Sequence, residues 1–319
     1  MQYREMGKTG AKISVLSMGG HEYLPDKRSR GFNEDLTKAV TPGHIFDGFG
    51  QDQRKRVLGT AFDHGINFFD VTMDSEKEAL GRNLAEMPPP YPIYIQTRPE
   101  GFVYTYDEFN AKMARYDLLK AEAVRILGLL RRERIEFFNL AFMRSALRHD
   151  PEYLEKISDN VARLKQEGLV QFVCADTFSG EETYLRQIAA GCFDVVYINF
   201  NFGDCGALEK VFPAVTQAGM GVISREAFMK GALFHMAREA GITDTASLAK
   251  AALKWNMGIP EVNTVVYGTG NVDHLLSALS VVDDSRLTDE ENELLKRIQD
   301  TAAFKEFKER KNREFFEGM

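Results

Sequence analysis

The 319-residue chain predicts an α/β fold closed as a (β/α)8 barrel of the TIM type, one domain over residues 1–319. Three observations carry this. Eight short apolar stretches alternate with amphipathic helical patterns along the whole length, which implies parallel strands joined by right-handed crossovers. No Ser/Gly linker or low-complexity tract divides the chain. The first apolar stretch ends in Met18-Gly19-Gly20-His21, not in the Gly-x-Gly-x-x-Gly turn that an open dinucleotide-binding sheet wants.

The strands are expected at Ile13–Met18, Asn67–Asp70, Ile93–Thr97, Ile135–Ala141, Leu169–Ala175, Asp194–Asn199, Gly221–Ser224 and Thr264–Tyr267. Each is apolar almost throughout, as strands buried on both faces must be. Helices are expected at Gln51–His64, Glu76–Glu86, Tyr106–Leu130, Pro151–Glu167, Glu181–Ala190, Ala207–Gln217 and Thr245–Met257.

Two segments fall outside the repeat. Residues 21–50 form a long connection after the first strand, which a barrel places at its C-terminal face, where barrel active sites are built. Its aromatics Tyr23, Phe32, Phe46 and Phe49 predict an ordered lid. In residues 288–319, Thr288 and Glu291 form a capping box ahead of a Leu/Ile stripe and a charged helix. That helix is expected on the outside of the barrel, or as an interface in a homo-oligomer.

Composition narrows the function. Forty basic against 47 acidic residues leave a net charge of −7, with no basic excess to neutralise a nucleic-acid backbone. Cys174, Cys192 and Cys205 form no Cys-x-x-Cys pair, which excludes a disulfide scaffold or a thiolate zinc site. No apolar run reaches membrane-spanning length, and the first residues lack an apolar signal core, so a soluble cytoplasmic protein with no membrane partner is expected.

Several segments then resemble the aldo-keto reductases. Tyr3-Arg4-Glu5-Met6-Gly7-Lys8-Thr9-Gly10 and Val15–Gly20 are similar to that family's N-terminal hairpin and first strand. Gly65–Asp70, Leu80–Leu84, Phe193–Asn201, Ala251–Trp255 with Pro260, and Gly268-Thr269-Gly270-Asn271 follow in the family's order. The resemblance implies a barrel with a hairpin over its bottom, NADP(H) lying across the C-terminal rim, and hydride transfer between nicotinamide and a carbonyl or alcohol. It also implies a tyrosine as acid, tuned by lysine and aspartate, with a histidine orienting the substrate.

The departures fall on that chemistry. Asp70 matches the family aspartate. The tyrosine position is Ser75, or Met73 when counted back from Leu80-Gly81; the lysine position is Arg98; the histidine position is Ala141. The residues expected at the nicotinamide carboxamide become Asp176-Thr177 and Tyr197, and the stacking aromatic falls near Arg225-Glu226. The catalytic candidates are therefore Asp70, Arg98, His21, Asp176 and Glu226. A histidine titrates near neutral pH, so His21 either stands in for the missing histidine or serves as a structural residue of the lid. Arg98 anchors a carboxylate, phosphate or sugar hydroxyl, or pairs with Asp70 or Asp176. Asp176 and Glu226 form an acid/base pair or partner two arginines. Tyr23, Tyr104 and Tyr106 are the nearby phenols.

The cofactor candidates are Gly268, Thr269, Gly270 and Asn271, a Gly-rich turn whose amides face a phosphate before the helix starting at Val272, with Asn201, Thr177 and Arg225. His21, Asp70, Asp176 and Glu226 share no metal-ligand spacing, so no metal is expected. The first functional reading is an NADP(H)-dependent oxidoreductase with a remodelled site acting on a small polar carbonyl or alcohol. The alternatives are a non-redox isomerase or lyase on a sugar-like substrate, and a non-catalytic ligand- or partner-binding protein.

Overall fold

The computed structural model describes residues 1–26 and 28–318. Tyr3–Glu5 (β1) and Lys12–Ser14 (β2) pair as an antiparallel hairpin. Eight parallel strands close into a barrel: Leu16–Gly19 (β3), Phe68–Asp70 (β4), Tyr94–Thr97 (β5), Ile135–Ala141 (β6), Val170–Asp176 (β7), Val195–Asn199 (β8), Gly221–Arg225 (β9) and Thr264–Tyr267 (β10). Closure is made by β10, which pairs with β9 on one side and β3 on the other.

The first expected strand, Ile13–Met18, is corrected by the structure. It divides at Val15, whose amide donates to the Gln2 carbonyl while its own carbonyl accepts from Val265 N, both at 3.0 Å. One residue thus serves the hairpin on one side and the barrel on the other. Asn67 pins the crossing, accepting from Ser14 N and donating to the Lys12 carbonyl, each at 2.8 Å.

Alternate residues of a strand share a face, so the inward positions form layers. The lower layer is apolar: Phe68, Phe137, Cys174, Val195 and Ile223 pack on Met6 and Ile13 from the hairpin. Each such buried aromatic or branched side chain contributes roughly 1.5–3 kcal/mol. Two residues further along the same strands stand Asp70, Asn139, Asp176, Tyr197 and Arg225. The same step on β5 runs from Tyr94 through Gln96 to Arg98, just past the strand end. The barrel is therefore oily at the hairpin end and polar at the rim.

The helices partly follow the sequence. The expected Tyr106–Leu130 helix begins only at Tyr116. Asn110 explains the shortfall. Its side chain donates to the Phe102 and Tyr104 carbonyls and accepts from Met143 N, giving the backbone a competing set of bonds. Tyr104, Phe109 and Asn110 accordingly take positive φ. The helix expected at Ala207–Gln217 is Val211–Ala218 after a short turn, and Leu36–Ala39, Arg144–His149 and Ala232–Glu239 are additional short helices.

The C-terminal segment is two helices, Asp289–Asp300 and Ala302–Glu317. The Thr288–Glu291 capping box opens the first, and Thr301 caps the second by accepting from Phe304 N. The last helix lies so close to Gly180 (φ 78°) that a Cβ there would sit 2.1 Å from the Phe315 carbonyl oxygen.

Residues 21–26 and 28–50 pack over the rim. Ala39 and Phe49 pack with Met73 and Ala79, flanked by Phe32 and Phe46. Gly43 N donates to Asp74 Oδ2 at 2.6 Å and Phe46 N to Ser75 Oγ at 2.9 Å. Among the described residues no helix is long and apolar enough to cross a membrane.

Candidate active site

Asp176, at the end of β7, is the hub of the rim. Its fully buried carboxylate accepts from Tyr104 Oη (2.6 Å), Asn139 Nδ2 (3.0 Å), and Arg225 Nη1 and Nη2 (3.1 and 3.0 Å). Tyr184 Oη lies at 3.5 Å. Such a pair adds little net stability, since desolvation of both charges offsets their attraction, but removing one partner strands the other. Burial, with the Asp176 charge beside it, pushes the Tyr104 phenol above its ordinary range against the opposing pull of Arg225. Tyr104 is thus a donor to Asp176.

Across the barrel, Asp70 accepts from Tyr197 Oη at 2.7 Å through Oδ2, while its buried Oδ1 has no partner. Burial raises its pKa to about 6, against the opposing hydrogen bond from Tyr197 and the field of His21. Next to it, His21 Nδ1 lies 2.7 Å from Glu76 Oε1. Glu76 is buried, and its Oε2 accepts from Thr72 N at 2.8 Å. Burial pushes the Glu76 carboxyl up, but the charge and hydrogen bond of His21 and the bonds from Thr72 outweigh it, and the result is about 2. For His21, burial favours the neutral ring, yet Glu76 wins and the pKa moves up. Gly20 is what lets these groups meet: a Cβ there would lie 2.7 Å from the Asp70 carbonyl oxygen and 2.9 Å from Glu76 Oε2.

Arg98 is 6% exposed, with its guanidinium 5.2 Å from the centre of the Tyr104 ring. It pairs with neither Asp70 nor Asp176, and its buried Nε has no hydrogen-bond partner. The carboxylate acting most strongly on it is Glu100, which lies 3.7 Å from Lys77. Lys77 is in turn bonded to Asp74 at 2.9 Å, and Asp74 also pairs with Arg125.

The remaining expected site residues sit elsewhere or are engaged. Glu226 takes a left-handed backbone (φ 64°), and its carboxylate pairs with Lys230 at 3.2 Å. Each carboxylate of the expected acid/base pair has its own cation, Lys230 for Glu226 and Arg225 for Asp176. Asn201 holds a turn, accepting from Gly203 N and Asp204 N at 3.0 Å each and donating to the Glu226 carbonyl. Thr177 Oγ1 accepts from Ser179 N at 2.9 Å. Tyr23 places its Oη 2.9 Å from where a Gly268 Cβ would stand, and Tyr106 packs edge-on to Tyr104. At the positions where the resemblance expects the acid and the histidine, Ser75 Oγ accepts from Phe46 N and Ala141 is fully buried. Among the described residues no group of three or more His, Cys, Asp or Glu is placed to hold a metal.

Glu76 and Asn139 escaped the sequence reading. Asn139 had a signal, since it lies two residues beyond the inward Phe137. Glu76 had a weaker one: it is one residue past the position searched for tyrosine, four after Thr72.

The dinucleotide implied by the resemblance meets obstacles at both ends. A carboxamide needs a free donor and a free acceptor, but Asp176 and Thr177 are engaged and the Tyr197 hydroxyl is given to Asp70. Arg225, at the stacking position, lies 4.4 Å over the Tyr197 ring and is bonded to Asp176. In the Gly268–Asn271 turn, Asn271 Oδ1 already accepts from Asp273 N and His274 N, and Thr269 Oγ1 from Asn271 N. Residues 268–279 contain no lysine or arginine to hold a 2′-phosphate. As these side chains stand, they do not fit NADP(H).

The whole-chain comparisons concern ancestry. The structure is similar to the aldo-keto reductase AKR11C1 from Bacillus halodurans. Against its holo form the TM-score is 0.67 at 16% identity, covering 93% of this chain and 96% of that one. Against its apo form the TM-score is 0.64, with the same identity and coverage. At that identity the likeness shows the fold alone. No curated protein matches the sequence significantly. The sequence model of the aldo/keto reductase family matches residues 43–300, most of the chain and all but the first of its barrel strands. On that match, the chain belongs to the aldo/keto reductase family.

Proposed function

We propose that the rim carries out proton transfer on a small polar hydroxy-carbonyl compound, with His21, held by Glu76, as acid and Asp70 as base. The observation that carries this is a carboxylate-bound histidine whose charge acts on Asp70, a buried aspartate with one unpartnered oxygen. A histidine favoured as the cation beside an aspartate of pKa about 6, still mostly ionised at neutral pH, suits general acid–base work.

The step is an isomerisation. Asp70 Oδ1 takes a proton from the carbon beside the carbonyl. The C–H electron pair becomes a C=C bond, and the carbonyl oxygen takes a proton from His21. In the collapse Asp70 returns its proton to the former carbonyl carbon, using the C=C pair for the new C–H bond, while neutral His21 takes the proton of the other hydroxyl, whose O–H pair completes the new C=O; both groups are restored and no external oxidant is consumed. Glu76 holds the ring through Nδ1 and leaves Nε2 for the substrate.

The second reading is carbonyl–alcohol oxidoreduction with a nicotinamide dinucleotide, favoured by the family match over residues 43–300. It requires the Arg225–Asp176 pair to part. NADPH and NADP+ binding to the purified chain, by fluorescence and calorimetry, separates the two. The test of the first is deuterium uptake from solvent into glyceraldehyde and dihydroxyacetone, followed by proton NMR without cofactor. Uptake lost in Glu76→Gln supports it. No uptake, with micromolar NADPH binding, overturns it in favour of oxidoreduction.

A further inference from the structure

We infer that Arg98 is the anchor for an oxyanion on the rim's substrate, a carboxylate or a phosphate ester; this rests on the proton-transfer reading above. The strand alternation through Tyr94 and Gln96 places Arg98 on the inward side just past the end of β5, with its guanidinium against the Tyr104 ring. It is 6% exposed, and among the described residues no carboxylate oxygen lies within 4 Å of it. The neighbouring cations are spoken for: Arg225 is bonded twice to Asp176 and His21 to Glu76. Glu100, the nearest acid in effect, is drawn to Lys77 at 3.7 Å. Burial pushes the Glu100 carboxyl up to about 7, against the opposing charges of Lys77 and Arg98.

A buried guanidinium is ordinarily bonded to an anion, because burying an uncompensated charge is costly. Here the fork of donors has a ring behind it and no acid in front: the Tyr104 face stands 5.2 Å from its centre, and the Nε proton is unclaimed. Planar, permanently charged and rich in donors, Arg98 matches a carboxylate or phosphate. Its position among the rim groups sets the oxyanion at one end of the substrate, with the carbonyl at the His21–Asp70 end.

The experiment uses the full chain and three probes: lactate, glycerol 3-phosphate and uncharged glycerol. Calorimetry reads affinity, and phenylglyoxal labelling mapped by mass spectrometry reads protection of Arg98 in the unmodified protein. The expected result is that one of the two anions binds and protects Arg98, while glycerol does neither; which anion succeeds tells carboxylate from phosphate. Arg98→Met is expected to weaken that binding by roughly tenfold or more, with Arg98→Lys intermediate. Failure of both anions to bind or protect overturns the assignment, as does binding unchanged in Arg98→Met. Solvent deuterium uptake into dihydroxyacetone is read in parallel. If it persists while the anions fail, the proton-transfer reading stands and only the anchor falls.

Discussion

Replacing Asp70 by asparagine tests the electrostatic core of the site through stability alone. The carboxyl of Asp70 is lifted from 3.8 to about 6, chiefly by burial. That is about two pKa units, or about 3 kcal/mol at roughly 1.4 kcal/mol per unit. The sign follows from proton linkage. Between pH 4 and 6 the folded state keeps this proton while the unfolded state releases it. Stability therefore falls as pH rises through that window and stays low above it. In Asp70→Asn the new amide oxygen would still accept the Tyr197 hydroxyl, at the place where Asp70 accepts it at 2.7 Å, so little else is lost. Urea denaturation of both proteins is measured at pH 4 and pH 8. Relative to Asp70→Asn, the wild type should lose about 2.5 kcal/mol between the two pH values. A stability difference that does not change with pH would refute the argument that Asp70 is a desolvated carboxyl.

Further expectations follow from other contacts. Glu76→Gln should lower the His21 titration midpoint, read by NMR of the imidazole protons, because Glu76 is the group that raises it. In the same variant, solvent exchange into substrate should slow by about 10²-fold. Asp176→Ala leaves Arg225 buried without its carboxylate and should cost about 3–5 kcal/mol in denaturant unfolding. Gly180→Ala forces a Cβ against the Phe315 carbonyl at a left-handed φ, so it should cost about 2 kcal/mol or more and expose the last helix to limited proteolysis.

Much of the barrel was legible because a strand buried on both faces leaves an apolar run, and the parity of that run says which residue tops it. Asp70 and Asp176 follow from Phe68 and Cys174 by counting two. What eluded the sequence was partner choice. Asp176 has Tyr104, Asn139, Tyr184 and Arg225 around it, drawn from four separate elements, and nothing local says which of them bond it. Glu76 acquires meaning only because its helix starts at Asp74, aiming it at a histidine 55 residues earlier in the chain. Glu226 takes a left-handed backbone and pairs with Lys230, neither of which its residue type advertises. The loop before Tyr116 is governed by Asn110, whose amide serves two backbone carbonyls in the same loop and the Met143 amide 33 residues on.

The Arg225–Asp176 pair has a consequence for ancestry and redesign. Either residue changed alone leaves a buried charge without its mate, so both single-step descendants are worse folded than either end point. The two positions are epistatic: a lineage, or an engineer restoring the neutral residues of a carbonyl-reducing relative, must pass through a valley or change both at once. Grafting Ser75→Tyr, Arg98→Lys and Ala141→His onto this chain leaves that valley uncrossed.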